Sequence, residues 1–250
     1  MRRLVVLGDS LAFHGPGGPL PLADPRLYPN GVAMHLRQRT GDEWAAVVVA
    51  RAGWCLRDVW LALRKDVQQQ VLLDADAVVL AVGSSDPLPV GVPRGLLSGL
   101  PYMRLTRMRR ALRRGIDRAH PALVRLTGER LCYTPLSVYR HAWRKSTAAL
   151  ALFAPDAARC AVLPGVHVGA YYGGSNRHRA AYAATTRELA AEADLPLVDL
   201  AGLTRPWLDR LNPTACTGPS GVHADVAAAM ADALARPAGS AGQDRGVEAE

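Results

Sequence analysis

The sequence predicts an α/β protein, a three-layer α/β/α sandwich around a five-stranded parallel sheet. Short apolar runs alternate with longer stretches of helical period, which is the rhythm of β-α units. The apolar runs are near-continuous, as in strands buried on both faces of a parallel sheet. The chain has 250 residues, 49% apolar and 21% charged, enough for one large domain with a sizeable core.

Taken in order, Leu4–Leu7 is the first strand, ending in the turn Gly8-Asp9-Ser10-Leu11. Val32–Arg39 has helical period and leads to a strand over Ala46–Ala50. Arg57–Leu73 reads as one helix before the strand Ala77–Val82. From about Pro87 to Pro135 the rhythm breaks, with several prolines, an arginine run and no convincing strand; this is an insertion expected over the carboxyl edge of the sheet as a cap or lid. Helix Val138–Phe153, strand Cys160–Leu163, helix Arg179–Ala193, strand Leu197–Leu200 and helix Val226–Ala235 follow. The expectation is one domain over 1–236 and a disordered Gly/Ala/polar tail over 237–250.

No apolar run reaches the roughly 18 residues that span a bilayer, and Leu4–Leu7 is too short for a signal-peptide core, so a cytoplasmic location is expected. Cys55, Cys132, Cys160 and Cys216 are far apart without a C-x-x-C pair, the pattern of reduced thiols and not of a metal or disulfide framework. The net charge of +8 is concentrated: Arg104, Arg107, Arg109, Arg110, Arg113, Arg114 and Arg118 fall within fifteen residues. This is either a solvated helix face or a footprint for an anionic partner, whether nucleic acid, a membrane surface or a phosphorylated substrate carrier. Nucleic acid is disfavoured, because Tyr102 alone interleaves an aromatic and no reading motif is present. Oligomeric state is not legible.

Chemistry enters at Ser10. A buried strand ending in a small-acidic-serine turn exposes a hydroxyl at the carboxyl edge, where open α/β folds keep their sites. A serine needs a base. Of seven histidines, His223 precedes the last helix, in a loop expected to return to that edge. His14 is four residues from Ser10 and suits a pocket wall better than a base, while His35 falls within a helix. Gly53, after the second strand, lets a backbone N–H approach an oxyanion, and Gly83-Ser84-Ser85-Asp86 after the third strand offers another donor.

These blocks resemble those of the SGNH (GDSL) hydrolase superfamily, whose fold is flavodoxin-like. The resemblance implies Ser10 and His223 as catalytic residues and Ser10, Gly53 and Ser85 as the oxyanion hole. Ser85 stands where the superfamily usually has asparagine, and Ser220 where it commonly has an aspartate three residues before the histidine. The imidazole is then oriented by Ser220 or a backbone carbonyl. Asp9–Pro16, Gly53-Trp54 with Arg57-Asp58-Val59-Trp60, Leu163–His167 and Pro196–Leu200 further resemble the diglucosylglycerate octanoyltransferase family. That resemblance implies octanoyl transfer from octanoyl-CoA to a glucose hydroxyl of a glucosylglycerate, in methylglucose lipopolysaccharide assembly. Acyl-CoA is then a co-substrate and the acceptor a glycosylglycerate or other sugar, with no metal and no bound cofactor.

His14, Trp54, Arg57, Asp86, His167 and Arg177 are candidate substrate-binding residues. Indole faces suit sugar rings, and guanidinium groups suit a glycerate carboxylate or CoA phosphates. An SGNH esterase or carbohydrate deacylase, with water as acceptor, would use the same nucleophile and base. A non-catalytic binding protein on the same scaffold is the reading favoured by the altered Asn and Asp positions. The chain has no P-loop, no G-x-G-x-x-G, no G-x-S-x-G elbow and no metal-ligand spacing.

Overall fold

The apolar runs form strands because their β-branched and aliphatic side chains can pack on both sides of a pleated surface. In chain order the strands are β1 (Arg2–Gly8), the two-residue hairpin arms β2 (His14–Gly15) and β3 (Gly18–Pro19), β4 (Trp44–Ala50), β5 (Ala77–Ala81), β6 (Ala158–Val162) and β7 (Leu197–Val198). Five of them make a parallel sheet in the order β4-β1-β5-β6-β7. The helices are α1 (Tyr28–Thr40), α2 (Leu56–Leu63), α3 (Asp66–Leu73), α4 (Thr106–Leu126), α5 (Leu136–Phe153), α6 (Arg179–Glu192), α7 (Leu200–Thr204) and α8 (Ser220–Ala235). This is a computed structural model describing residues 1–15, 17–92, 104, 106–174, 176–208 and 220–236. The 237–250 tail, Cys216 and Tyr102 lie outside the described residues.

Alternation along β1 divides the interior into two cores. Leu4 and Val6 join Tyr28, Val32 and Leu36 of α1 with Val226 and Met230 of α8 on one face. Val5 and Leu7 join Leu56 and Val59 of α2, Tyr139 and Trp143 of α5 and Leu189 of α6 on the other. The expected α/β/α layering follows from this period-two division of one apolar run. Sequence order returns past β1 after β4, so the crevice between β1 and β5 is a topological switch point.

Local signals set the helix ends. α1 begins with Pro29 in its first turn and stops at Gly41, whose φ of 74° lets its N–H cap the Arg37 carbonyl. α2 opens with a capping box, in which Asp58 Oδ2 accepts from the Cys55 N–H at 3.1 Å. Asp86 reaches across from the loop after β5 and accepts from the Leu56 N–H at 3.0 Å.

Several expectations need correction. Arg57–Leu73 is two helices, broken at Lys65, whose backbone is extended; Gln69 then donates to the Leu63 carbonyl at 3.1 Å. β4 is half-buried along its whole length because it is the sheet's edge. The last strand stops at Val198, and Leu200 already starts a helix. In the insertion, Pro89 bridges antiparallel to Cys132, and α4 carries most of the arginine run.

Candidate active site

Loops after all five strands of the parallel sheet converge on one cavity of about 540 Å³. Asp9, Ser10 and Leu11 come from the turn after β1, Gly53 from the loop after β4, and Ser84, Ser85 and Leu88 from the loop after β5. Gly165, Val166, His167, Gly169, Tyr171 and Tyr172 follow β6, and Leu200 and Thr204 belong to α7. The expected Ser10, Gly53 and Ser85 are thus brought to one wall-to-wall space, as is His167.

Ser10 starts a 3₁₀ turn over Ser10–Ala12. Asp9 caps that turn, its Oδ1 accepting from the Leu11 N–H at 3.0 Å. Burial pushes the Asp9 carboxyl up to about 6, against the partial relief of that backbone hydrogen bond. Asp9 therefore holds the serine's turn from beneath. Gly53 has φ of 69°, the left-handed region where a side chain is strained, so the loop that brings it to the cavity calls for glycine.

His223 is buried at the start of α8 and stacks on Tyr28 with ring centroids 6.1 Å apart. Its Nδ1 accepts from the Tyr28 N–H at 3.2 Å, and Nε2 lies 2.9 Å from the His14 carbonyl. With Nδ1 an acceptor, the neutral ring carries its proton on Nε2 and donates it to His14. Burial lowers the pKa of the imidazole, so it is held neutral. Both ring nitrogens are engaged by backbone groups, and His223 is not among the described residues lining the cavity. Two backbone groups orient the ring: the Tyr28 N–H donates to Nδ1, and the His14 carbonyl, an acceptor of the expected kind, takes the Nε2 proton. Ser220 begins α8, but its side chain lies outside the described residues.

The imidazole that does line the cavity is His167. Asn176 grips its backbone at both ends, accepting from the His167 N–H at 3.0 Å and donating to its carbonyl at 2.8 Å. Nδ1 accepts from the Gly169 N–H at 3.1 Å, which leaves the proton on Nε2. Burial pushes the pKa down to about 4, so the ring is a neutral donor. It meets Tyr172 edge-on at 4.9 Å, and Tyr171 meets Tyr172 at 5.0 Å, giving an aromatic wall. That wall is braced by α4, where His120 stacks on Tyr171 at 4.2 Å and Asp117 accepts from the Tyr171 hydroxyl at 3.2 Å.

The remaining candidates lie elsewhere. Trp54 packs partly buried against the α2-side core, Arg57 is exposed on α2, and Asp86 is the buried cap of α2. Arg177 donates to the Gly128 carbonyl at 3.1 Å, and His14 contributes its backbone carbonyl to His223. None of these five lines the cavity. Sequence reasoning missed Tyr171 and Tyr172; the signal was an aromatic pair beside Gly173 and Gly174, in a loop following a strand.

A strand-end serine, a left-handed glycine and a third loop thus meet at one switch-point cavity. Residues 6–231 match the model of the GDSL-like Lipase/Acylhydrolase family. The chain belongs to that family. Among GDSL-like relatives, it is 36% identical over 198 residues to the diglucosylglycerate octanoyltransferase of Mycobacterium tuberculosis, covering 79% of this chain and 76% of that one. It is 32% identical over 235 residues to the protein of the same name from Mycolicibacterium hassiacum, covering 93% and 94%. The GDSL-like fold is also that of the lipase Lip_vut3 from a goat rumen metagenome, with a TM-score of 0.59 at 10% identity over 93% of this chain and 97% of that one. A lipase/acylhydrolase from Enterococcus faecalis gives 0.59 at 12% identity over 93% and 94%. The chain is therefore an enzyme of a GDSL-like family. Among the described residues no helix is long and apolar enough to cross a membrane, and no His/Cys/Asp/Glu cluster could hold a metal.

Proposed function

We propose that this enzyme is a serine-dependent acyltransferase that moves an acyl group from acyl-CoA to a sugar hydroxyl of a glycosylglycerate. One observation carries the reading: Ser10 opens into a cavity large enough for an acyl chain and a sugar ring, with aliphatic Leu11, Leu88, Val166 and Leu200 beside aromatic Tyr171 and Tyr172. Similarity to proteins named diglucosylglycerate octanoyltransferase over up to 93% of the chain supports the same acyl donor and acceptor classes.

In this mechanism His223 leaves both backbone partners, the Tyr28 N–H and the His14 carbonyl, and turns its unprotonated Nδ1 to Ser10. Ser10 Oγ attacks the thioester carbonyl and its proton passes to the imidazole. The C–S bond breaks, and the departing CoA thiolate takes that proton. The acceptor hydroxyl then gives its proton to the neutral ring and attacks the acyl-enzyme carbon; the C–O bond to Ser10 breaks as the ring returns that proton to Ser10 Oγ. Gly53 and Ser85 supply donors to the oxyanion at each addition. Transfer prevails over hydrolysis when the acceptor is held against the acyl-enzyme and water is kept out.

The test is octanoyl-CoA with and without glucosylglycerate, on wild type and Ser10→Ala. Acceptor-dependent CoA release with an acylated sugar in the mass spectrum supports transfer. Equal release without acceptor identifies a hydrolase, and release that ignores Ser10→Ala identifies a scaffold without serine chemistry.

A further inference from the structure

The arginine run gains a function once its helix is seen in place. α4 is buried only at His120 and Val124, and the turns before them are almost wholly exposed. Successive residues turn by about 100° around a helix. On that wheel Met108, Leu112, Ala119 and Leu126 fall within about 40° of one another, while His120 and Val124 lie some 120–160° from Met108 and about 80–120° from Leu112. An apolar stripe therefore runs along an exposed flank of the helix. Met108 is 49% exposed, Leu112 43% and Leu126 83%. Arg107, Arg114, Arg118 and Arg125 follow one border of the stripe and Arg109 the other. Seven arginines against the single Asp117 give this helix +6 of the chain's +8, so the rest of the molecule is close to neutral.

We propose that α4 is an interfacial helix that docks the protein on an anionic lipid surface, with the Met108/Leu112 stripe entering the headgroup boundary. A strip about 27 Å long, convex and bordered by guanidinium groups, matches a plane of acidic headgroups over apolar chains. A second copy of the chain would set +6 against +6. Nucleic acid would engage the arginines and leave Met108 and Leu112 in water. An acidic protein would need a groove to receive a protruding helix, and is an outcome of the test.

The proposal goes beyond acyl transfer and does not depend on it, although it has a consequence for the cavity. Through His120 and Asp117 the same helix braces Tyr171, so docking would hold the aromatic wall at the lipid interface.

Co-sedimentation of the full chain with phosphatidylcholine vesicles, pure or containing about one-third phosphatidylglycerol, tests it. Wild type is expected to pellet with the anionic vesicles, and far less with pure phosphatidylcholine or in high salt. Each arginine near an anionic surface is worth about fivefold in partitioning, so Arg107→Gln/Arg114→Gln/Arg118→Gln should lose about 100-fold. Met108→Ser/Leu112→Ser keeps every charge and should still lose at least about tenfold. Leu112→Trp should shift its fluorescence to shorter wavelength on adding anionic vesicles. Absence of wild-type binding to anionic vesicles overturns the proposal, including the case where only an acidic protein is bound. Binding by the double-serine protein equal to wild type, or no shift in Leu112→Trp, reduces it to diffuse adsorption and overturns it equally.

Discussion

The Tyr28 backbone N–H donates to His223 Nδ1 at 3.2 Å, and this bond decides which nitrogen of the imidazole carries the proton. Nitrogen-15 spectra of the unliganded protein at neutral pH should show His223 protonated on Nε2 and bare on Nδ1. The opposite tautomer would contradict the donation to His14. His223→Ala leaves a buried N–H and a carbonyl without their partner, which should cost about 2–4 kcal/mol in urea unfolding as well as abolishing turnover. Ser10→Ala should lose at least about 10³-fold in turnover with a smaller loss of stability. Equal destabilisation by the two substitutions would mean that Ser10 is chiefly structural.

Asp9 gives a pH signature. Its carboxyl sits at about 6 in the folded protein against an ordinary 3.8, so between those values the folded chain holds a proton that the unfolded chain releases. The stability it contributes is complete below about pH 4 and is lost as pH rises through 6. Asp9→Asn keeps an acceptor for the Leu11 N–H and removes the ionisation. Its advantage over wild type should grow from pH 4 to pH 7.5 and level off at about 2–3 kcal/mol. Unfolding curves at the two pH values that differ by the same amount would rule this out.

His167 works in the opposite direction. Its ring is held at about 4 against an ordinary 6.5, so the folded protein resists protonation and loses stability as pH falls through that interval. His167→Phe should flatten the acid side of the stability profile. It also removes the Nε2–H donor from the cavity. kcat/KM for the sugar acceptor should then fall about tenfold, the worth of one hydrogen bond, while cleavage of a small test ester is unchanged. Equal loss on both substrates would place His167 in the acyl step.

Gly53 separates shape from space. A Cβ added there meets nothing within 4 Å, so the cost of Gly53→Ala comes from its φ of 69° alone. About 1–2 kcal/mol of stability should be lost. If its N–H is an oxyanion donor, turnover should fall further, by about 10²–10³-fold. A destabilised variant with full activity would remove Gly53 from the oxyanion hole.

Strands were legible because burial on two faces leaves an apolar run that no surface element shares; β1 and β5 are the clearest cases. The convergence of Ser10, Gly53 and Ser85 was legible for the same reason, since each follows a parallel strand and must emerge at one edge. The break at Lys65 left no glycine or proline to mark it. Asp86 sits in a turn that follows a strand, and nothing local shows that its Oδ2 accepts from the Leu56 N–H thirty residues away. The tautomer of His223 depends on a backbone group 195 residues away, which no local pattern reports. Tyr171 and Tyr172 gain meaning only when α4, distant in sequence, stacks against them.

Gly8 has a consequence for how the strand-end motif is read. A methyl group at position 8 would come within 2.9 Å of the Ala12 Cβ and 3.3 Å of the Tyr28 hydroxyl. The glycine is imposed by crowding, and the aspartate beside it by the need to cap a turn. Two letters of Gly-Asp-Ser are thus architectural, and a descendant that abandoned serine chemistry would still be obliged to keep them. Reactivity in such chains should be judged from the third letter and its imidazole, not from the familiar dipeptide that precedes it.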